Sequence, residues 1–334
     1  MSHGQLSDIE RSVFGEIAEE QVWSWLGGLV VEQLGAPLDA VLWRSGRLGA
    51  VFGLRLQDSR RTVAKVYRDA SRQEHLVAAV ACQQVLATSG YPAPRPMAGP
   101  VIRDGRSTVL EEMLEPGRTV DGRDPAVRNA LAASMAAQVV ALRPWGPTLG
   151  LGLRPPSWAC YRDGPWPVPH DAIFDFSRTP PGFSWLDELA ATCSALLGQP
   201  LPEVIGHSDW NCGNVGFHER VLVAAFDWDS LVADREAVVV GLSAGAFTSG
   251  GPGPERSPTP QEVARYVEDY SRAAASPFGP AQRAQAFAAA TWVLCYNARC
   301  DLSAQFDFGV PATPGSALGL LRAHGGASYL NPTW

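Results

Sequence analysis

Three oxygen-bearing side chains in one short stretch carry the chemistry of this chain. Asp209 follows the apolar pair Val204-Ile205 and then His207, in a turn where a carboxylate can meet a substrate hydroxyl. Asn214, five residues on, offers a neutral amide oxygen, and Gly213 before it permits backbone angles that a side chain forbids. Asp227 supplies a second carboxylate. The amide oxygen suits a hard cation such as Mg2+. An Asn and an Asp side by side, with Asp209 nearby, make a divalent-ion site charged for nucleotide phosphates rather than a zinc cage. Phosphoryl transfer needs such an arrangement. Each residue alone could serve a turn, so the weight rests on the spacing of the set.

Local elements must bring these groups together. Val215-Gly216-Phe217 and Val221 to Phe226 read as two short strands around the polar turn His218-Glu219-Arg220, a hairpin that returns Asp227 beside Asn214. Upstream, Val41 to Arg44 and Ala50 to Leu56 read as strands flanking Ser45-Gly46-Arg47-Leu48-Gly49. Gly46 and Gly49 either let that loop cover phosphates with backbone N–H groups or simply close a hairpin. The next strand, Thr62 to Arg68, carries Lys65 between apolar neighbours. A helix from about Ser71 to Thr88 follows, stopped by Ser89-Gly90-Tyr91-Pro92, with Glu74 as its one acid. Ser107 to Gly117 then reads as a strand leading out of this region.

Together these residues resemble the aminoglycoside phosphotransferase family, the small-molecule branch of the protein-kinase-like fold. Its core motif runs His-x-Asp-x-x-x-x-Asn followed by an Ile-Asp-Trp-like segment, here His207, Asp209, Asn214 and Phe226-Asp227-Trp228. The resemblance covers roughly residues 40 to 300. It implies an α+β, two-lobed fold with an antiparallel-sheet N-lobe at 1–112, including a helical N-terminal extension, and a mostly helical C-lobe at 113–334. Asp209 would be the catalytic base, His207 would brace its loop, and Asn214 and Asp227 would hold Mg2+ bridging the phosphates. Lys65, in a Val-Ala-Lys context similar to the family's Val-Ala-Ile-Lys, would pair with the α- and β-phosphates. Glu74 would pair with Lys65, although it lies earlier in its helix than the pattern expects and also suits a first-turn acid favouring the helix dipole. Glu111-Glu112-Met113-Leu114-Glu115-Pro116-Gly117 is similar to the family's hinge, so that peptide groups of Glu112, Met113 and Leu114 would hydrogen-bond the adenine of ATP, or the base of GTP.

Composition sets bounds on this reading. The chain has 334 residues, 46% hydrophobic and 18% charged, enough for one two-lobed unit with a substantial core. No apolar run approaches the roughly 18 residues of a membrane helix, and the acidic start, Asp8, Glu10 and Glu16, is unlike a secretion signal, so a cytoplasmic location is expected. A net charge of -7 without any Lys/Arg run disfavours nucleic acid as a partner and suits either a cationic acceptor or simple solubility. Six scattered cysteines without CxxC spacing point to reduced thiols rather than a zinc cluster or disulfides. Cys212, inside the catalytic loop, is either a small filler or a reagent-accessible thiol.

The remaining segments concern the acceptor. Asp124-Pro125 to Leu142 reads as an alanine-rich helix, and the insert at 143–184 is irregular, proline-rich and aromatic, with Trp145, Trp158, Tyr161, Trp166, Phe174, Phe176 and Phe183. Those rings either line an acceptor pocket or form a small core of their own. His170-Asp171 is a binding pair or a helix cap. Gly250 to Pro260 reads as a flexible connection, then Gln261 to Ala275 and Ala281 to Asp301 as helices. Their acids Glu268, Asp269 and Asp301 are candidate acceptor contacts or a solvated face. The expected activity is transfer of the γ-phosphoryl group of a Mg2+-bound nucleoside triphosphate to a hydroxyl of a small molecule, such as an aminoglycoside-like antibiotic. The alternatives are a metabolic kinase of a sugar, amino alcohol or nucleoside, and a silent nucleotide-binding module.

Overall fold

A computed structural model describes residues 6–162, 166–198 and 203–332. The extreme ends of both expected lobes and positions 163–165 of the aromatic insert lie outside the described residues. The chain divides into two compact units, Met1–Glu115 and Pro116–Trp334.

The first unit opens with α1 (Asp8–Phe14) and α2 (Glu19–Leu34). Ser7 starts α1 with a capping box to Glu10, which satisfies two otherwise orphaned N–H groups. Five antiparallel strands follow, β1 (Leu38–Ser45), β2 (Ala50–Leu56), β3 (Arg61–Tyr67), β4 (Pro96–Arg103) and β5 (Arg106–Glu112), with α3 (Gln73–Thr88) between β3 and β4. Their order in the sheet is β1-β2-β3-β5-β4, which makes β3 central. β3 is buried at every position after Arg61, as a strand covered on both faces must be. Val22, Leu26, Leu29 and Val30 of α2 close a core over Phe52, Leu54 and Val66.

The second unit is mostly helical. α4 (Pro125–Leu142) starts on Asp124, whose carboxylate accepts the Ala126 N–H, with proline in the first turn. After the short α5 (Gly146–Leu149) and α6 (Ser184–Leu197) come two small antiparallel ladders. One joins β6 (Glu203–His207) to β9 (Leu231–Arg235), and the other joins β7 (Val215–His218) to β8 (Val221–Ala225). The buried α7 (Glu236–Ala244), then α8 (Pro260–Ala273), α9 (Pro280–Phe308), α10 (Ala317–His324) and α11 (Gly326–Leu330) complete the unit. α9 is its spine, in contact with α6, α7, α8, α10 and α11. α7 reaches it closely because Gly241 and Gly245 present bare backbone: a Cβ on Gly241 would stand 2.6 Å from Ala289 Cβ, and one on Gly245 would stand 2.6 Å from the Ala290 carbonyl oxygen. Among the described residues no helix is long and apolar enough to cross a membrane.

Packing specifies two segments that the sequence leaves loose or open. The connection at 250–260 is anchored at its start. Gly250, at φ +70°, lies so close to the loop at Gly213 that a Cβ there would stand 2.7 Å from Gly213 N, an approach open only to glycine. The aromatic insert forms its own core on α9: Trp166 stacks on Trp292 at 5.8 Å, and the Arg299 guanidinium lies between Trp166 and Phe176 at 5.5 and 5.2 Å.

Candidate active site

The loop that carries Asp209 follows the end of β6. Asp209 is half-buried, and both of its carboxylate oxygens accept amide hydrogens, Oδ1 from Asn211 Nδ2 at 2.7 Å and Oδ2 from Asn214 Nδ2 at 2.9 Å. The Asn214 amide also donates to the Asp209 backbone carbonyl at 2.8 Å, and Asn211 Oδ1 accepts the Gly213 N–H at 2.9 Å. The loop thus holds its carboxylate in one orientation through two asparagines, of which Asn211 was absent from the sequence-based candidates. Its signal is local: an Asn two residues past an Asp is within reach of an Asx-type contact.

His207 is fully buried and ties the two halves of the site together. The Asp209 backbone N–H donates to His207 Nδ1 at 3.1 Å. Nδ1 is therefore an acceptor, and Nε2 carries the proton that is donated to the Phe226 carbonyl at 3.0 Å. The ring is boxed by Trp210 and Trp228, at 5.6 and 5.5 Å between centroids. Trp210 is anchored by Nε1 donating to Leu131 O of α4, and Ser243 of α7 donates to its carbonyl at 2.8 Å. Trp228 is part of the Phe226-Asp227-Trp228 segment of the motif, whereas Trp210 has no place in the motif spacing.

The hairpin brings the proposed metal ligands into register. Val215 pairs with Ala225, and Phe226 N donates to Asn214 O at 2.8 Å, leaving Asp227 one residue beyond this pairing. Asp227 adopts φ +64°, a left-handed conformation that Asp tolerates better than most residues. Because Asn214 commits its Nδ2 to Asp209, the group left to face a cation is its carbonyl oxygen. Asn214 and Asp227 therefore fit a hard cation such as Mg2+, which takes one or two protein oxygens and completes its shell with phosphates and water. Among the described residues no three His, Cys, Asp or Glu side chains gather around a metal position, so the donor set differs from a closed zinc cage.

The loop is braced from behind by Cys212 N donating to Phe247 O at 3.2 Å and Gly213 N donating to Ser249 O at 3.0 Å. Cys212 is 1% exposed, and burial pushes its thiol up to about 12. It is the small filler of the two roles considered for it.

In the first unit, Gly46 has φ +132°, and a Cβ on Gly49 would stand 2.8 Å from Val66 O, so this turn requires glycine at both places. Lys65 lies on β3 with a side chain 11% exposed, and its Nζ is 3.3 Å from Glu111 Oε1 on β5. Glu111 enters the sequence reading only within the hinge-like run, and the ladder Val63↔Glu111 fixes its register on β5. Glu74 stands exposed in the first turn of α3. At the hinge, Glu112 N donates to Arg95 O at 2.8 Å and Met113 N to Arg61 O at 3.4 Å. Two of the three hinge N–H groups, those of Glu112 and Met113, are thus engaged by backbone carbonyls, and Leu114 lies just past the end of β5.

The other candidate acceptor contacts have structural partners. Asp269 is 2% exposed and bound to Arg128 Nε at 2.7 Å, Glu268 pairs with Arg283 at 3.1 Å, and Asp301 accepts Leu318 N at 2.9 Å at the start of α10. Burial raises the Asp301 carboxyl above its ordinary value. His170 Nδ1 meets Tyr296 OH at 2.8 Å, and Asp171 accepts Ile173 N in a turn rather than capping a helix.

The model of the phosphotransferase enzyme family matches residues 40–235. Among solved structures, an amicoumacin kinase, hAmiN, in complex with AMP-PNP, Ca2+ and Ami, is similar over 94% of both chains, with a TM-score of 0.64 and 14% identity. A choline/ethanolamine kinase family protein from Mesorhizobium loti is similar over 93% of this chain and 94% of its own, with a TM-score of 0.55 and 14% identity. The macrolide 2'-phosphotransferase MphH from Brachybacterium faecium is similar over 94% and 99%, with a TM-score of 0.53 and 15% identity. These likenesses show the two-part, kinase-like α+β fold. No curated protein matches the sequence.

Proposed function

We propose, since this chain belongs to the phosphotransferase enzyme family, that it transfers the γ-phosphoryl group of a Mg2+-bound nucleoside triphosphate, ATP or GTP, to a hydroxyl of a small molecule. The observation that carries this reading is the Asp209 carboxylate held by Asn211 and Asn214, with Asn214 bonded through its backbone to the residue before Asp227.

In this reading Asp209 orients the acceptor hydroxyl and takes its proton. Each carboxylate oxygen has lone-pair capacity beyond the one amide hydrogen it receives, so the acceptor O–H can still be accepted. Fixing the carboxylate before the acceptor arrives removes an entropic cost that would otherwise fall on the reacting complex. Asn214 and Asp227 would hold Mg2+, which when bound neutralises phosphate charge. His207 keeps Asp209 and Phe226 in fixed relation, and so maintains the spacing of base and metal ligands. In the first unit, Lys65 would pair with the α- and β-phosphates, the backbone of the Gly46 to Gly49 turn would cover phosphates, and the hinge backbone at Glu112 to Leu114 would meet the base. Glu74, in the first turn of α3, would pair with Lys65.

The segment after Asp227 favours a small acceptor. One 3-10 turn, Trp228–Ser230, leads directly into β9 and the buried α7, with no intervening exposed segment of the kind that presents a peptide to a protein kinase. The six cysteines are free thiols, which together with the use of a nucleoside triphosphate supports a cytoplasmic enzyme. The test is transfer followed by 31P NMR with ATP or GTP, Mg2+ and a panel drawn from amicoumacin, macrolides, aminoglycosides, choline and ethanolamine, using wild type and Asp209→Asn. A phosphorylated acceptor formed by wild type and lost in the variant supports the reading. Equal turnover by Asp209→Asn would sink the assignment of the base.

A further inference from the structure

Lys65 does not stand alone on its strand. It pairs with Val109 across the β3/β5 ladder, and Glu111 lies two residues further along β5, on the same face. That diagonal is within reach of two long side chains. The contact it makes is buried on both sides, with Lys65 11% and Glu111 3% exposed and Nζ 3.3 Å from Oε1. The second oxygen of Glu111 accepts Gln83 Nε2 at 2.9 Å. Gln83 belongs to α3, is 2% exposed, and is itself fixed by donating to Pro94 O at 2.8 Å. Thr62 Oγ1 donates to the Glu111 carbonyl at 2.8 Å and pins the backbone beneath the carboxylate.

We infer that Glu111 is a positioning residue for the nucleotide, acting through Lys65, and that the relay Gln83–Glu111–Lys65 ties α3 to the central strand at this point. The inference rests on the nucleotide-binding role proposed above for Lys65. A buried ammonium loses hydration and tends to shed its proton, and a carboxylate in contact keeps it charged. It also confines an otherwise flexible four-carbon stem to one direction, so that less freedom is lost when a phosphate arrives. The Gln83 amide occupies the other carboxylate oxygen, which leaves the charge of Glu111 directed at Lys65.

The experiment measures binding of Mg2+·AMP-PNP and Mg2+·GMP-PNP, and of adenosine and guanosine, to the full chain by calorimetry or competition. The proteins are wild type, Glu111→Gln, Gln83→Met and Lys65→Met. Glu111→Gln is expected to weaken the preferred triphosphate analogue roughly tenfold, the scale of one lost charge-assisted contact, while leaving the nucleoside within about twofold. Gln83→Met should shift the same ligand in the same direction by about threefold, and Glu111→Gln should add little to Lys65→Met. Unchanged triphosphate binding in Glu111→Gln would overturn the inference, and so would equal weakening of nucleoside and triphosphate, which marks a general loosening of the sheet. If Glu111→Gln does not fold, Gln83→Met decides by the same selectivity. Wild type that binds a triphosphate analogue as well as Lys65→Met does removes the relay but leaves the Asp209 site standing; wild type that binds neither analogue overturns the nucleotide reading itself.

Discussion

Gly216 offers a test of how the catalytic hairpin is seated. It lies in the middle of β7, two residues beyond Asn214, where the segment Pro116 to Arg118 runs alongside. A Cβ built on Gly216 would collide with the Pro116 carbonyl oxygen and stand 2.6 Å from its carbon and 3.3 Å from Gly117 N, all of them backbone atoms that cannot swing aside. Gly216→Ala must therefore separate the two strands. Their separation breaks the bonds from Arg118 N to Phe217 O at 2.8 Å and from Phe217 N to Arg118 O at 3.1 Å. At about 1 kcal/mol each, with some loss of cover over the buried Phe217, the cost is about 2 to 3 kcal/mol. For a unit of this size that lowers the melting temperature by roughly 5 to 10 °C. Thermal unfolding followed by tryptophan fluorescence reads the change. Gly146→Ala serves as control: no atom lies within 4 Å of its would-be Cβ, and the substitution should stay within about 0.5 kcal/mol of wild type. Gly216→Ala melting within about 1 °C of wild type would refute the packing of this segment on β7.

Asn211→Ala removes one of the two amides on the Asp209 carboxylate and should lower kcat roughly 10- to 100-fold, while Mg2+-nucleotide affinity stays unchanged because Asn211 lies outside the proposed metal ligands. Steady-state kinetics with the acceptor found in the panel, beside calorimetric nucleotide binding, separates the two effects. Cys82 and Cys212 are both raised by burial from an ordinary 9.0 to about 12. Neither should react with iodoacetamide in the folded protein at about pH 8, and both should react after denaturation, as peptide mass spectrometry would show. The same shifts have a consequence for stability. The thiols stay protonated in the folded state while the unfolded chain releases protons above 9.0, so their contribution is full below 9.0 and is lost as pH rises towards 12. Denaturant titrations across that window should show a falling midpoint, and substituting both by Ala should flatten the fall.

The sequence was most readable where chemistry and local geometry coincide. The hairpin from Val215 to Ala225 follows from two apolar runs around a polar turn, and the start of α4 follows from Asp124-Pro125, a cap and a first-turn proline. Elements fixed by distant packing were hidden. α7 has the sequence EAVVVGLSA, whose valine run has a strand-like composition, yet it is helical because every residue from Ala237 to Ala244 is buried and its glycines admit α9. The choice between pocket and core for the aromatic insert depended on Trp292, Tyr296 and Arg299, more than a hundred residues away along the chain. Asn211, Glu111 and the two tryptophans around His207 sat in the right windows, but their roles come from partners across strands and helices that local spacing does not specify.

In the proposed function, Asn214 and Asp227 make nucleotide binding depend on Mg2+ while Asp209 serves the transfer step. The most direct measurement is the thermal shift produced by ATP and GTP, each with and without Mg2+, on wild type, Asp209→Asn and Asp227→Asn. A Mg2+-dependent shift in wild type that persists in Asp209→Asn and is lost in Asp227→Asn is the result predicted. The same Mg2+-dependent shift in Asp227→Asn, or no shift with either nucleotide in wild type, would contradict the account.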